Sequence, residues 1–275
     1  MSMSSPGTVY LVGAGPGAAD LITVRGAKLL AQADIVFHDA LIDQAMLELC
    51  SQAVKVAVGK RCGKLSSAQE FINKRLVDAA HKYQTIVRLK GGDPMLFGRA
   101  DEELSALQAA GIPFEIVPGI TAALAGAASL QKSLTLRGIA RSVAFITLAQ
   151  ASESSQNEQQ ALQPIANPSA DTLVYYMGRK DAAKIAQQLL ASSPNHIANT
   201  PVHILEAVST AKERHWESNL KALAEGKADQ WFDPSSPALI LIGQALTSKQ
   251  SDCSSSKVDD GLQDREVFTN SRRRA

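Results

Sequence analysis

Short apolar runs along this chain break repeatedly into glycine or polar turns, and each is followed by a longer stretch with apolar positions at helical spacing. Val9 to Val12 is the first such run, and Leu21 to Leu30 then reads as a helix behind Asp20, a suitable N-cap. The alternation continues with strands over Asp34 to Phe37, Val54 to Val58 and Thr85 to Leu89, and with helices over Gln44 to Cys50 and Ala68 to His81. A helix from Ala100 to Ala110 closes on Gly111, and the strand Phe114 to Val117 and the Ala-rich helix Thr121 to Leu130 end the first half. Strands alternating with helices predict a mainly parallel sheet wrapped on both faces.

A second series follows the Arg137-Gly138 turn, with strands over Ser142 to Leu148, Thr172 to Tyr176, Pro201 to Glu206 and Ala238 to Ile242. Its predicted helices are Asp181 to Ala191 and Trp216 to Ala224. The fold expected is therefore α/β with two domains, residues 8–138 and 139–246. The polar stretch Gln150 to Ala170 reads as a surface excursion, and residues 247–275 lack apolar periodicity and read as a disordered tail.

Composition narrows the partners. With 28 Lys and Arg against 27 Asp and Glu, the net charge is +1, so no global field draws the chain to nucleic acid or membrane. The three terminal arginines read as solvated charge. No stretch approaches the roughly 20 apolar residues of a membrane span, and the amino terminus has no signal pattern, which predicts a cytoplasmic protein. Cys50, Cys62 and Cys253 lack paired spacing, so neither a disulfide framework nor a metal site is predicted.

Candidate chemistry sits at the strand ends. Gly13-Ala14-Gly15-Pro16-Gly17-Ala18 fits the dinucleotide fingerprint, and Asp39 ends the second predicted strand, where a ribose-binding acid would stand. That fingerprint needs a helix starting inside the glycines, whereas Asp20 is the better cap here; the late start removes the pyrophosphate cradle. A nucleoside without phosphate suits such a loop, and S-adenosylmethionine is one. Gly91-Gly92-Asp93-Pro94 ends another strand with permissive backbone and one carboxylate, which either caps a turn or accepts from ligand hydroxyls or an ammonium. Val117-Pro118-Gly119-Ile120-Thr121-Ala122 is a third junction of this kind, with Thr121 placed to cap the helix or touch a ligand.

Taken together these segments resemble the tetrapyrrole methylases: Val9 to Gly17, Val58-Gly59-Lys60-Arg61, Val87 to Pro94, Phe97-Gly98-Arg99, Val117 to Ala122, Tyr176-Met177-Gly178 and Pro237 to Ile240 stand in family order. The resemblance implies two α/β domains of the tetrapyrrole methylase fold with the cofactor cleft between them, S-adenosylmethionine as methyl donor, and a homodimer. It also implies methylation of two ring carbons of uroporphyrinogen III to precorrin-2, on the route to sirohaem and cobalamin. Carried over position by position, the donor contacts are Pro16, Gly91, Asp93, Leu96, Thr121, Ala122, Met177, Ala207, Pro237 and Ala238. Asp39, Lys60, Arg99, Glu102 and Arg137 fall on the substrate-side or catalytic positions.

Several substrate-side positions depart from the family pattern. Ala40 follows the first acid in place of an arginine, Cys62 to Ser66 replaces a histidine-bearing segment, and Gly98 to Glu103, Thr135 to Gly138 and Glu206 to Thr210 each differ from the usual motif. These departures keep other readings open: a methylase of the same fold acting on another tetrapyrrole or on RNA, or a non-catalytic paralogue that binds the cofactor. A nicotinamide oxidoreductase built on Gly13 to Ala18 is the rival from another class.

Overall fold

A computed structural model describes residues 5–40, 42–58, 65–148 and 169–247. Lys60, Arg61, Cys62, Cys253, most of the polar stretch before residue 170 and nearly all of the predicted tail lie outside these residues.

Two five-stranded sheets form the molecule. The first contains β1 (Thr8–Gly13), β2 (Ile35–His38), β3 (Val54–Ala57), β4 (Thr85–Lys90) and β5 (Phe114–Val117), in the order β3-β2-β4-β1-β5. Every pairing in it is parallel. Helices α1 (Val24–Gln32), α2 (Gln44–Glu48), α3 (Leu65–Ala80) and α4 (Ala100–Ala109) supply the crossovers. Two clusters, one around Leu11, Leu76, Ile86 and Leu107 and the other around Val12, Leu30, Val36 and Leu89, bury the two sides of the sheet. That is why its central strands are apolar on both faces.

Sheet two orders its strands β6-β7-β10-β8-β9: β6 (Val143–Thr147), β7 (Thr172–Tyr176), β8 (Pro201–Glu206), β9 (Arg214–Asn219) and β10 (Ala238–Gly243). This sheet is mixed, unlike the first, for which parallel pairing was expected. Only β6 and β7 run parallel, while β10 is antiparallel to both β7 and β8, and β8 to β9. The predicted helix over Trp216 to Ala224 is corrected, because strand β9 runs to Asn219 and only α7 (Leu220–Ala224) is helical. Trp216, Leu220 and Leu223 fall at helical spacing and mimic one continuous helix, but Asn219 breaks it, its side chain capping Ala222 N–H.

A second correction concerns α1. It begins at Val24 with Thr23 as its cap, Oγ1 accepting from Gly26 N–H at 3.1 Å, and Asp20 lies instead in a short 3-10 turn. The helix therefore starts later still than predicted, well beyond the glycines. Helix α5 (Ala122–Ser129) follows β5 but packs on the second sheet: Ala123 and Ala127 join Val174, Leu205, Leu239 and Leu241 in one cluster. Helix α6 (Ala182–Ser192) and α7 cover its other face through Ile185, Leu189 and Leu223.

Beyond α6, His196 is 1% exposed; its Nδ1 lies 2.8 Å from Ser193 Oγ and its Nε2 has no described partner. Burial pulls this imidazole below its ordinary value of 6.5, against the opposing pull of Asp171. A lowered folded value means that the unfolded chain takes up the proton first. The neutral histidine's stability is present above about 6.5 and is lost as pH falls through the folded value. Urea midpoints taken from about pH 8 down to about pH 5 should fall for the parent chain and fall less for His196→Asn.

Candidate active site

Strand order puts the sequence-predicted residues in one row. Because the first sheet is wholly parallel, the carboxyl ends of its strands share an edge, the place where open α/β sheets hold ligands. Along that edge come Asp39 after β2, Gly91 to Asp93 after β4, the Gly13 to Gly17 loop after β1, and Pro118 to Thr121 after β5. Asp39 thus stands on one side of the row and the glycine junctions on the other.

The first two glycine junctions are hydrogen-bonded through backbone, and the third packs against both. Gly15 and Gly92 exchange a pair of hydrogen bonds, Gly15 N–H to Gly92 O at 3.1 Å and Gly92 N–H to Gly15 O at 2.7 Å. A Cβ on Gly13 would lie 2.6 Å from Gly119 Cα and 2.7 Å from Gly92 O, so only glycine permits this approach. Asp93 locks the arrangement, its Oδ1 accepting from Met95 N–H at 2.8 Å and its Oδ2 from Gly119 N–H at 2.9 Å. Oδ2 thus ties the second loop to the third, while Oδ1 closes a turn within the second. Above Gly91 the space is open, with nothing within 4 Å of where its Cβ would stand.

The second sheet brings its own edge to this row. Met177 follows β7; Pro237 and Ala238 begin β10, which runs antiparallel to β7 and β8; Ala207 follows β8, its N–H donating to Pro237 O at 3.0 Å. Met177 is 55% exposed, which excludes a core-filling role. Met177, Ala207 and Ser209 all hold left-handed backbone, φ 57°, 50° and 61°, a conformation costing about 1–3 kcal/mol each in non-glycine residues. Strain of this kind, gathered at one edge, persists only where surrounding contacts impose it.

Those contacts join the halves. Ala18 N–H donates to Ser209 Oγ at 3.1 Å, and a Cβ on Gly17 would lie 2.8 Å from Val208 O, so the first glycine loop lies directly on the loop after β8. Tyr176, at the end of β7, does more. Its hydroxyl accepts from Ala123 N–H at 3.1 Å and lies 2.5 Å from Thr121 Oγ1, and its ring meets Phe97 edge-on at 5.2 Å. Thr121 stands at the N-cap of α5 yet makes no capping bond of its own, and Tyr176 takes that place. Burial raises the Tyr176 phenol above its ordinary value, although the Thr121 and Ala123 bonds pull the other way, so it stays protonated. Pro16, Leu96, Thr121, Ala122 and Ala238 are each half-buried at these facing edges.

The charged side contains a group that the sequence did not single out. Glu103, on α4, is fully buried, and its Oε1 accepts from Arg88 Nε at 3.0 Å, Lys90 Nζ at 3.0 Å and Gln69 Nε2 at 3.2 Å. Arg88 Nη2 continues to Asp39 Oδ1 at 2.6 Å, so a buried guanidinium fixes the candidate acid at the rim. Burial pulls Arg88 down, but Asp39 and Glu103 outweigh it and hold the group above its ordinary value. Lys90 goes the other way: burial and then Arg88 lower it, against Glu103 and Asp39. The difference follows from Arg88 having two carboxylate partners and Lys90 sharing one oxygen. Alternation in β4 puts Arg88 and Lys90 on one face, and that common parity was the available signal.

Arg99 and Glu102 are brought together as a two-point pair, Nε to Oε1 at 2.6 Å and Nη2 to Oε2 at 2.8 Å, with both side chains more than a third exposed. Arg99 holds φ 53° at the start of α4. Arg137 sits exposed in the turn closed by Leu136 N–H to Ala140 O and makes no ion pair with the described residues. Lys60 lies outside the described residues.

Comparison with known proteins agrees with this layout. The family model for Tetrapyrrole (Corrin/Porphyrin) Methylases matches residues 8–224. A siroheme synthase of Pseudomonas fluorescens (strain SBW25) is 40% identical over 247 residues, covering 90% of this chain and 52% of that protein. The chain spans about half the length of the curated relatives it matches. Among solved structures, uroporphyrin III C-methyl transferase from Thermus thermophilus superposes with a TM-score of 0.71 at 35% identity, covering 87% of this chain and 93% of that one. A second structure of the Thermus enzyme, complexed with S-adenyl homocysteine, gives 0.70 at 34% identity and the same coverage. Matched in sequence over most of its length, and in fold to enzymes built on the same paired sheets, this chain belongs to the tetrapyrrole (corrin/porphyrin) methylases.

Proposed function

We propose that this chain methylates two ring carbons of uroporphyrinogen III with S-adenosylmethionine, giving precorrin-2 for sirohaem and cobalamin synthesis. One observation carries the reading: three interlocked glycine junctions with open space above Gly91 stand beside a row of charged groups, and Met177, Ala207 and Pro237 come from the facing sheet. Residues 8–138 and 139–246 are the two halves of this arrangement. The homodimer rests on the family resemblance.

The residues fit a nucleoside without phosphate. No helix starts inside the first glycine loop, since α1 begins at Val24, so the amides that would cradle pyrophosphate are missing there. What the site offers is neutral backbone at Gly91 and Ala122, the hydroxyl of Thr121, and the apolar surfaces of Pro16, Leu96, Met177, Ala207, Pro237 and Ala238. Asp93 acts on the donor indirectly, by holding the Gly91 and Gly119 junctions in register.

S-adenosylmethionine bound there supplies an electrophilic methyl group. The chain's task is then to hold the pyrrole carbon in line, an effect of orientation that reaches about 7–11 kcal/mol in favourable cases. A proton must leave the ring carbon after methylation. Asp39 is placed to take it: Arg88 holds Oδ1, while Oδ2 has no partner among the described residues. Glu102 is the alternative base. Arg99 and Arg137 meet the carboxylates of the substrate, and the exposed Arg99–Glu102 pair, worth about 0.2–1 kcal/mol, yields readily to them.

Incubation with uroporphyrinogen III and isotopically labelled S-adenosylmethionine, read by mass, should show two methyl groups added. Donor binding without transfer would sink the reading and favour a non-catalytic paralogue. We further expect Arg99→Ala to abolish turnover and to leave donor affinity, measured by calorimetry, within a few fold; a variant that lost donor binding would move Arg99 from the substrate side to the donor side.

A further inference from the structure

Away from the methyl-transfer site, the second sheet carries a cluster that this reaction does not use. Strands β8 and β9 pair with His203 opposite Glu217 and Leu205 opposite His215, so His203, His215 and Glu217 share one face of the hairpin. His203 is fully buried, whereas His215 and Glu217 lie at the surface. His203 Nδ1 is 2.9 Å from His215 Nε2 and 4.0 Å from a Glu217 carboxylate oxygen, and one donor atom from each residue falls within 4.8 Å of the others.

The proton positions follow from a carbonyl. His203 Nε2 lies 3.0 Å from Leu246 O, which can only accept, so Nε2 carries the hydrogen. The neutral ring therefore presents a lone pair at Nδ1, aimed at His215 and Glu217. Metal-ligating histidines are oriented in this way, by donating the remote ring N–H to a backbone carbonyl or a carboxylate. The carbonyl here comes from the 3-10 turn after β10, an element separate from the hairpin.

We propose that His203, His215 and Glu217 form a binding site for one divalent transition cation of the zinc class, tying edge strand β9 to β8 beside the chain segment that follows β10. Two imidazole nitrogens and one carboxylate oxygen are the donor set that zinc takes with a fourth position left to water. With zinc–ligand distances of about 2.0–2.2 Å, tetrahedral donors stand about 3.3 Å apart. The histidine nitrogens need to separate slightly and Glu217 to close by less than its present gap, movements open to two surface side chains. Calcium and magnesium are disfavoured, since both select all-oxygen sites. Lys132, after α5, is the positive charge acting on His203 besides His215, and Glu217 is the negative one. A second cation bound here works against Lys132 and with Glu217. The site is independent of the methyl-transfer reading, because none of its residues belongs to that site.

Titration of the full chain with Zn2+, followed by calorimetry, tests this directly. We expect one equivalent to bind at this site, with His215→Ala and Glu217→Gln each weakening it at least about tenfold. Substitution by Co2+ should give visible bands of tetrahedral intensity that disappear in His215→Ala. Both variants change surface residues, and unchanged circular dichroism will establish that they fold. Methyl transfer should be the same with and without a chelator. An absence of saturable Zn2+ binding, or binding equal in parent and variants, would overturn the proposal and leave the two histidines as a hydrogen-bonded pair.

Discussion

Glu103→Leu is expected to cost the fold about 3–5 kcal/mol, the usual consequence of removing one partner from a buried ion pair. The carboxylate is fully buried, and a single oxygen accepts from Arg88, Lys90 and Gln69. Its removal does not affect the two cations equally. Arg88 keeps Asp39 at 2.6 Å and donates to Leu89 O at 3.1 Å, whereas Lys90 has no other ion pair among the described residues and only the charge of Asp39 is left to offset Arg88. Burial and Arg88 already lower Lys90, so the variant drives it further toward the neutral form. Urea unfolding measures the loss. The double variant Lys90→Met, Glu103→Leu should recover much of it, because an apolar pair replaces buried charge without stranding any. If the double variant were no more stable than Glu103→Leu, the loss would come from packing around α4 and not from the stranded ammonium.

The second large effect belongs to Gly13→Ala. A methyl group there meets backbone on two sides, Gly119 Cα at 2.6 Å and Gly92 O at 2.7 Å, and backbone cannot rotate away as a side chain would. Strands β4, β1 and β5 are hydrogen-bonded neighbours, so relief requires one glycine junction to withdraw from the other two. Overpacking of this kind costs about 1–3 kcal/mol. Catalysis should suffer more, because a displacement of about 1 Å in a positioning element can cost about 100-fold. We expect kcat/KM to fall by about that factor with a visible loss of donor affinity, read by calorimetry with S-adenosylhomocysteine. Gly111→Ala is the control, since its Cβ would meet nothing within 4 Å and its φ of +66° lies at a helix end far from this edge. Its penalty should be confined to stability.

Much of the architecture was legible in the residue order. Strand ends marked by glycine, the helices between them and the late start after the first glycine loop all follow from signals confined to a few neighbouring positions. The misreadings have equally local causes. Trp216, Leu220 and Leu223 share helical spacing across a strand–helix junction, and Asp20 is as good a capping residue by type as Thr23 three positions on. The sequence pattern carried no pairing direction for the second sheet, where β8 to β9 is a hairpin and β10 enters antiparallel between β7 and β8.

The sequence alone determined which segments end in ligand-ready backbone and, through the ordered set of motifs, the family. It did not determine which of those segments meet. Strand order placed Asp39 beside the Gly91 junction, and burial turned Glu103, one of three acids in the first turn of α4, into the shared partner of Arg88 and Lys90. Tyr176 likewise looked like the last residue of a strand, yet across 53 positions it caps α5 and closes the two halves on each other. The reason is physical: periodicity and capping act within a turn or two of chain. Contact between distant residues depends on the order in which strands pair and on which face of each element is buried, and those are settled only when the whole core packs.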